Sequence, residues 1–368
     1  MSNMAEISQL TEMSVQLPVD WYLDSKILEI EKHILFDQGP GYVGHELMVP
    51  TVGDYYVPEG MNNAKVLVRN ENGIELLSNI CRHRQALLLK GRSNTKNIVC
   101  PIHRWTYALD GKLLGAPHFT QNPCLNLDKT PLQNWNGLLF NGRRKVVQDM
   151  AKLSVLKDFD FSNYMLDRIQ VDQYRCNWKT FVEVYLEDYH VEPYHPGLSR
   201  FVNTDKLEWE FGDWYSVQTV AIDNTRFQRP GSSVYAKWHE QVLQQNEGKM
   251  PPYGAIWLLY YPNIMLEWYP HTLVISTLLP TGVESCTNVV EFYYPEEIAL
   301  FEREFVEAEQ AAYKETAMED DEICQLMTAG RRALYEQNRN EIGPYQMPME
   351  AGMEHFHQFL QRQIGPHV

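Results

Sequence analysis

The chain has 368 residues, 44% hydrophobic and 22% charged, an ordinary globular composition whose length predicts two folding units rather than one. No run approaches the roughly 20 apolar residues of a membrane-spanning helix, and a net charge of −16 argues against the basic surface that nucleic-acid binding needs. The opening MSNMAEISQLTEMSVQLPVDW has neither the basic head nor the apolar core of a secretory signal, so a cytoplasmic protein is expected.

Apolar residues at helical spacing in SKILEIEKHILF predict a helix over 25–36. From 45 to 155 short runs rich in Val, Ile and Leu (KVLVRN, GIELLSNI, NIVCPI, GLLFNG) alternate with the turn formers ENG, GRSN, DG and NWNG, which predicts a small all-β unit. Helical signals return around 177–190, and long strands are expected at AIWLLYY, IMLEWY, TLVISTLL and NVVEFYY. The tail reads helical in three pieces: EEIALFEREFVEAEQAAYKE, DDEICQLMTAGRRALYE and MEAGMEHFHQFLQRQI. The expected fold class is α+β, with an N-terminal helical segment at 1–44, an all-β domain at 45–155 and a larger domain at 156–368. In the larger domain an antiparallel sheet should pack against helices.

Six cysteines are scattered through the chain, so paired ones read better as metal ligands than as a disulfide framework. Cys81-Arg82-His83 and Cys100-Pro101-Ile102-His103 form such a set, each at the end of a strand-like run. The order, with one Cys and one His in each loop, is not that of the common zinc fingers. It matches the arrangement in which two histidines replace two cysteines on one iron of a [2Fe–2S] cluster, a structural zinc site being the competing reading.

A second constellation is YLEDYHVEPYH, Tyr185 to His195. His190 and His195 are five residues apart, about 500° around an ideal helix, so a straight helix could not turn both onto one metal. Pro193 and Pro196 should loosen the helix after His190 and let the imidazoles converge. Glu187, three before His190, can support it from the same face. Two histidines need one carboxylate to complete the facial triad of non-haem Fe(II) oxygenases, and the acids of EDDE at 319–322, read as a charged helix start, are the candidates. The competing reading is a polar helix end with two incidental histidines. Asn177 is either a polar pocket group or the cap of a helix starting at Trp178. Trp257, Tyr260, Tyr261, Trp268 and Tyr269 are either an aromatic cage for a cation or ordinary strand aromatics.

Taken together, CRHR, CPIHRWTYALDG, NWKTFVEVYLEDYHVEPYHPGL and EDDEICQLMTAG resemble the α-subunits of Rieske non-haem iron oxygenases of the ring-hydroxylating type. The likeness covers nearly the whole chain and is greatest to the carnitine and choline monooxygenase subgroup. It implies that Cys81, His83, Cys100 and His103 hold a Rieske [2Fe–2S] cluster, and that His190, His195 and Asp320 bind a mononuclear Fe(II). Asp321 is the alternative ligand if the register slips by one. It also implies a head-to-tail homotrimer in which Glu187 links His190 to the neighbour's His103, and a catalytic role for Glu187 beside Asn177. Electrons would come from an NAD(P)H-dependent reductase, directly or through a ferredoxin, because the chain has no Gly-rich dinucleotide fingerprint. The implied activity is O2-dependent hydroxylation or oxidative dealkylation of a small organic substrate, a quaternary amine ahead of an aromatic acid. Mono- and dioxygenation both remain open. An electron-transfer protein with a non-catalytic C-terminal domain is the remaining alternative.

Overall fold

The computed structural model describes residues 16–155 and 160–368, and these fall into two compact units. One holds the residues up to Asp37 together with Asp167–Val368; the other is Gln38–Leu166. Most of the N-terminal stretch read for a signal, and the start of the 156–368 segment, lie outside the described residues. No described helix is long and apolar enough to cross a membrane.

In the smaller unit the β-branched runs become strands as their composition dictates. Lys65–Asn70 pairs antiparallel with Gly73–Ser78 at the centre of a five-stranded sheet. Ile98–Val99, Thr106–Tyr107 and Leu113–Gly115 make a three-stranded sheet carrying the second Cys–His pair. Val66, Val68, Leu77, Ile98, Trp105 and Tyr107 are packed with Cys81 and Cys100 in one apolar core. The motif cysteines therefore sit at the edge of the hydrophobic interior.

The larger unit is built on a seven-stranded sheet. Its order is Tyr164–Tyr174, Ser285–Pro295, Thr272–Gly282, Ile264–Tyr269, Ala255–Tyr260, Tyr215–Ala221 and Asn203–Phe211. The four expected strands are consecutive neighbours in it, antiparallel to one another. Of the other three, Tyr164–Tyr174 and Asn203–Phe211 are polar and partly exposed edge strands, and the largely buried Tyr215–Ala221 is broken up by Ser216, Gln218 and Thr219. One face of the sheet, carrying Trp257, Val274 and Phe292, packs on the helices Ser233–Gln245 and Arg303–Glu336.

Two helical expectations are corrected. The segment 25–36 is α-helical only over Ser25–Glu31 and closes with a π-helical turn at Lys32–Phe36. The first two tail helices are continuous from Arg303 to Glu336, so EDDE lies mid-helix and not at a helix start. Nothing breaks the run: it has no Pro, and its first Gly is Gly330.

A buried polar network ties these elements together. Glu183, in the helix Trp178–Tyr185, accepts from Arg331 Nη2 at 2.7 Å and His357 Nε2 at 2.8 Å, and from the Tyr22 hydroxyl. Burial opposes its charge, yet Arg331 and His357 hold its pKa down at about 2. The group therefore stabilises the fold above its ordinary pKa near 4.5, and that stability is lost as pH falls toward 2. Arg331→Met strands this carboxylate and should cost about 3–5 kcal/mol. Thermal melts should show the largest deficit at neutral pH, and the gap should narrow below pH 4.5.

Candidate active site

The two Cys–His loops share one wiring. Gln85 and Arg104, four residues after each cysteine, donate N–H back to the cysteine carbonyl at 3.0 and 3.2 Å. Both adopt left-handed backbone, φ 54° and 60°. The Cys81 and Cys100 N–H groups donate at 2.8 Å to the carbonyls of Ala86 and Trp105, five residues on. Each loop thus buries its thiol and carries its histidine at the turn. The His83 and His103 ring centroids lie 4.7 Å apart, and His83 stacks on Trp105 at 5.0 Å. His83 Nδ1 is buried with no partner, as expected for a nitrogen kept for a metal. Tyr107 Oη lies 3.6 Å from Cys81 Sγ, a contact that would tune a cluster's potential.

Among the described residues, the one set of three or more His, Cys, Asp or Glu with ligand atoms within 4.8 Å is His190, His195 and Asp320. Two thiolates and two imidazoles, one of each on two loops, are the donor set of a two-iron cluster.

The second constellation is arranged differently from its sequence-based expectation. The helix ends at Tyr185, five residues before His190, rather than loosening after it. Glu187 then shapes the turn: its carboxylate accepts from His190 N–H at 3.1 Å and contacts His190 Nδ1 at 2.5 Å. A short helical turn, Val191–Tyr194, delivers His195. His190 Nε2 and His195 Nε2 come to 2.9 Å, and Asp320 Oδ1 lies 3.0 Å from His195 Nε2 and 3.5 Å from His190 Nε2. Asp321 instead accepts from Gln325 at 2.8 Å, so the helix presents Asp320 to the histidines.

The outer nitrogens explain why these atoms face one another. His190 Nδ1 is held by Glu187, and His195 Nδ1 by Glu319 at 2.7 Å. If both Nδ1 atoms keep their protons for these carboxylates, both Nε2 lone pairs point inward beside a carboxylate oxygen. Such a cluster calls for a cation at its centre. Consistently, although burial disfavours charge on His190, Asp320 and Glu187 outweigh it and push its pKa up to about 10. The donor set fits a mononuclear iron.

His190, His195 and Asp320 lie on the wall of a cavity of about 110 Å³. That is room for several waters or one short-chain molecule. Trp257 and Tyr269 line it, but Tyr260 and Tyr261 are buried away from it and Trp268 packs on Tyr253. Asn177 is also absent from the wall, a correction to its expected role. Its side chain caps the helix by accepting from Lys179 N–H at 2.9 Å, and it donates to Tyr22 and Val283 carbonyls at 2.8 Å. All its bonding capacity near that helix is used in structure. Sequence reasoning passed over the part played by Glu319, and over Glu267 and Glu309 altogether. An acid inside the apolar run IMLEWY was a signal for Glu267; Glu309 had none beyond its place on the helix face that holds Asp320.

The comparisons agree with this geometry. Residues 42–134 match the Rieske [2Fe-2S] domain family, and residues 156–365 match the family described as ring hydroxylating alpha subunit (catalytic domain). The chain is 60% identical to the putrescine 2-hydroxylase of Ralstonia nicotianae over 98% of its own length and 99% of that protein's. It is 25% identical to the chloroplastic choline monooxygenase of Atriplex hortensis over 93% of this chain and 76% of that one. In fold it matches a quaternary ammonium Rieske monooxygenase whose structure bears on carnitine oxidation and inter-subunit electron transfer. The TM-score is 0.74, with 18% identity, covering 97% of this chain and 96% of that one. With a Rieske domain, a catalytic domain that binds mononuclear iron and relatives matched along its whole length, this chain belongs to the Rieske non-haem iron oxygenase α-subunits and is a terminal oxygenase component.

Proposed function

We propose that the chain hydroxylates an aliphatic C–H bond of a short primary diamine of the putrescine class. The carrying observation is the convergence of His190 Nε2, His195 Nε2 and Asp320 Oδ1 on the wall of a small cavity. The 60% identity to a putrescine 2-hydroxylase supplies the substrate class. In this reading Cys81, His83, Cys100 and His103 hold the cluster, and His190, His195 and Asp320 hold the iron. When bound there, the iron supplies O2 activation for C–H oxidation. Glu187 and Glu319 keep the two imidazoles oriented through Nδ1, and the aromatic wall limits water around the substrate.

The reaction balances as R–H + O2 + two electrons + two protons giving R–OH + H2O, which makes the enzyme a monooxygenase. The electrons come from a separate NAD(P)H-dependent reductase, directly or through a ferredoxin, in the cytoplasm. The working assembly is a homotrimer in which Glu187 connects His190 to the next subunit's cluster; the relative with inter-subunit electron transfer supports this. An aromatic acid fits less well, because among the described residues no Lys or Arg lines the cavity to receive a carboxylate.

Purified protein supplied with a reductase, NADH, putrescine and 18O2 should yield a monohydroxylated diamine carrying one 18O, read by mass spectrometry. It should hold three irons and two acid-labile sulfides per chain. Fully loaded protein that hydroxylates no diamine of three to five carbons would overturn the proposal.

A further inference from the structure

Besides Asp188 in the turn before His190, the cavity wall carries two buried carboxylates that the metal centre does not use. Glu267, on the strand Ile264–Tyr269, is 7% exposed, and Glu309, on the long helix, is 3% exposed. Among the described residues neither is in an ion pair with a Lys or Arg, and no Lys or Arg lines the cavity. An uncompensated buried carboxylate is costly, and here there are two. Burial pushes Glu267 up to about 7 and Glu309 up to about 8.

The hydrogen bonds around Glu267 run in one direction. Trp257 Nε1 donates to Tyr269 Oη at 3.0 Å, and Tyr269 Oη donates to Glu267 Oε2 at 2.8 Å. The tyrosine proton is thereby committed to the glutamate. Gln218, two strands away in the same cross-strand row as Trp257 and Glu267, leaves its Oε1 buried and unpartnered, its amide being engaged by the Tyr185 carbonyl. The cavity thus has an excess of acceptors, and carboxyl groups that ionise fully only when a cation joins them. A ligand that satisfies it brings N–H donors and a positive charge, which a primary ammonium does with three donors. A quaternary ammonium brings charge but no donor.

Position along the cavity gives these groups a direction. Glu309 precedes Asp320 by eleven residues (320 − 309), about 16 Å of helix rise, and both point into the same cavity. Tyr313, one turn after Glu309, reaches Ser276 Oγ at 3.4 Å on the strand beside that of Glu267. Glu309 therefore marks the end of the cavity away from the metal ligands, and Glu267 lies where it feels the charge of both Glu309 and Asp320.

We propose that Glu267 is the specificity-determining carboxylate of this oxygenase: it receives the ammonium of an aliphatic diamine remote from the reacting carbon and so presents an interior methylene to the iron. Glu309 supplies a second negative charge near it. This role rests on reading the cavity as the site of a primary amine.

The test compares unsubstituted enzyme, Glu267→Gln and Glu309→Gln, each checked for three irons per chain and native circular dichroism. Anaerobic titration calorimetry is run with 1,4-diaminobutane and with 1-aminobutane, and turnover is followed with product positions assigned. Glu267→Gln keeps shape and loses charge. It should weaken binding of the diamine about 100-fold, and of 1-aminobutane as well, because Glu267 receives the one ammonium that 1-aminobutane has. Its product should spread over more than one carbon. Glu309→Gln should show the same pattern to a smaller degree. Diamine bound by Glu267→Gln as tightly as by an unsubstituted enzyme that hydroxylates it would overturn this role and leave the amine reading standing. No amine bound or hydroxylated by the unsubstituted enzyme would overturn both.

Discussion

Asp320→Ala is expected to purify with two irons and two sulfides per chain in place of three and two, with an unchanged Rieske spectrum and no measurable hydroxylation. The reason is geometric. Among the described residues, Asp320 Oδ1 is the one carboxylate oxygen within 3.5 Å of both inward imidazole nitrogens, and it has no hydrogen-bond donor of its own. Without it, two neutral histidines remain to hold the ion, and the loss should exceed roughly 10³-fold in turnover because metal and chemistry leave together. The neighbouring Asp321→Ala is the control. Its carboxylate is bound to Gln325 on the helix surface, so iron content and turnover should stay within a few-fold of the unsubstituted enzyme. A third iron retained by Asp320→Ala, or lost from Asp321→Ala, would reassign the ligand.

Glu187→Gln should behave in the opposite way, keeping all three irons while turnover falls about 100-fold. The amide can still accept from His190, so the turn and the imidazole stay in place. What disappears is a negative charge beside His190 on the proposed path between the two metal centres. In a single-turnover experiment with substrate and O2, the reduced Rieske signal should then persist, because its electron no longer reaches the iron. A purely structural role predicts something else: lost iron with normal oxidation of the cluster in whatever fraction stays loaded. Full activity in steady-state oxygen consumption would remove Glu187 from the electron path.

Much of the chemistry is legible in the residues alone. Cys81, His83, Cys100 and His103 are close in sequence on two short turns, and such local motifs carry their geometry with them. The four strands between Ala255 and Pro295 are equally visible, since strands buried on both faces read as near-continuous apolar runs. The outer strands Asn203–Phe211 and Tyr164–Tyr174 are not, because partial exposure dilutes their pattern.

The sequence by itself determined the family, the two kinds of metal ligand and those four strands of the sheet, all written in local spacing or local composition. Only the tertiary structure decided which acid faces the histidines, because Asp320 and Asp321 differ by about 100° around a helix and by nothing in composition. Only it showed that Asn177 is consumed in capping, that Glu319 backs His195, and that Glu267 and Glu309 share one cavity. Those facts depend on contacts between segments tens to more than a hundred residues apart. What an acid does there follows from its neighbours in space: beside a donor it positions a ligand, and without a cation it waits for one.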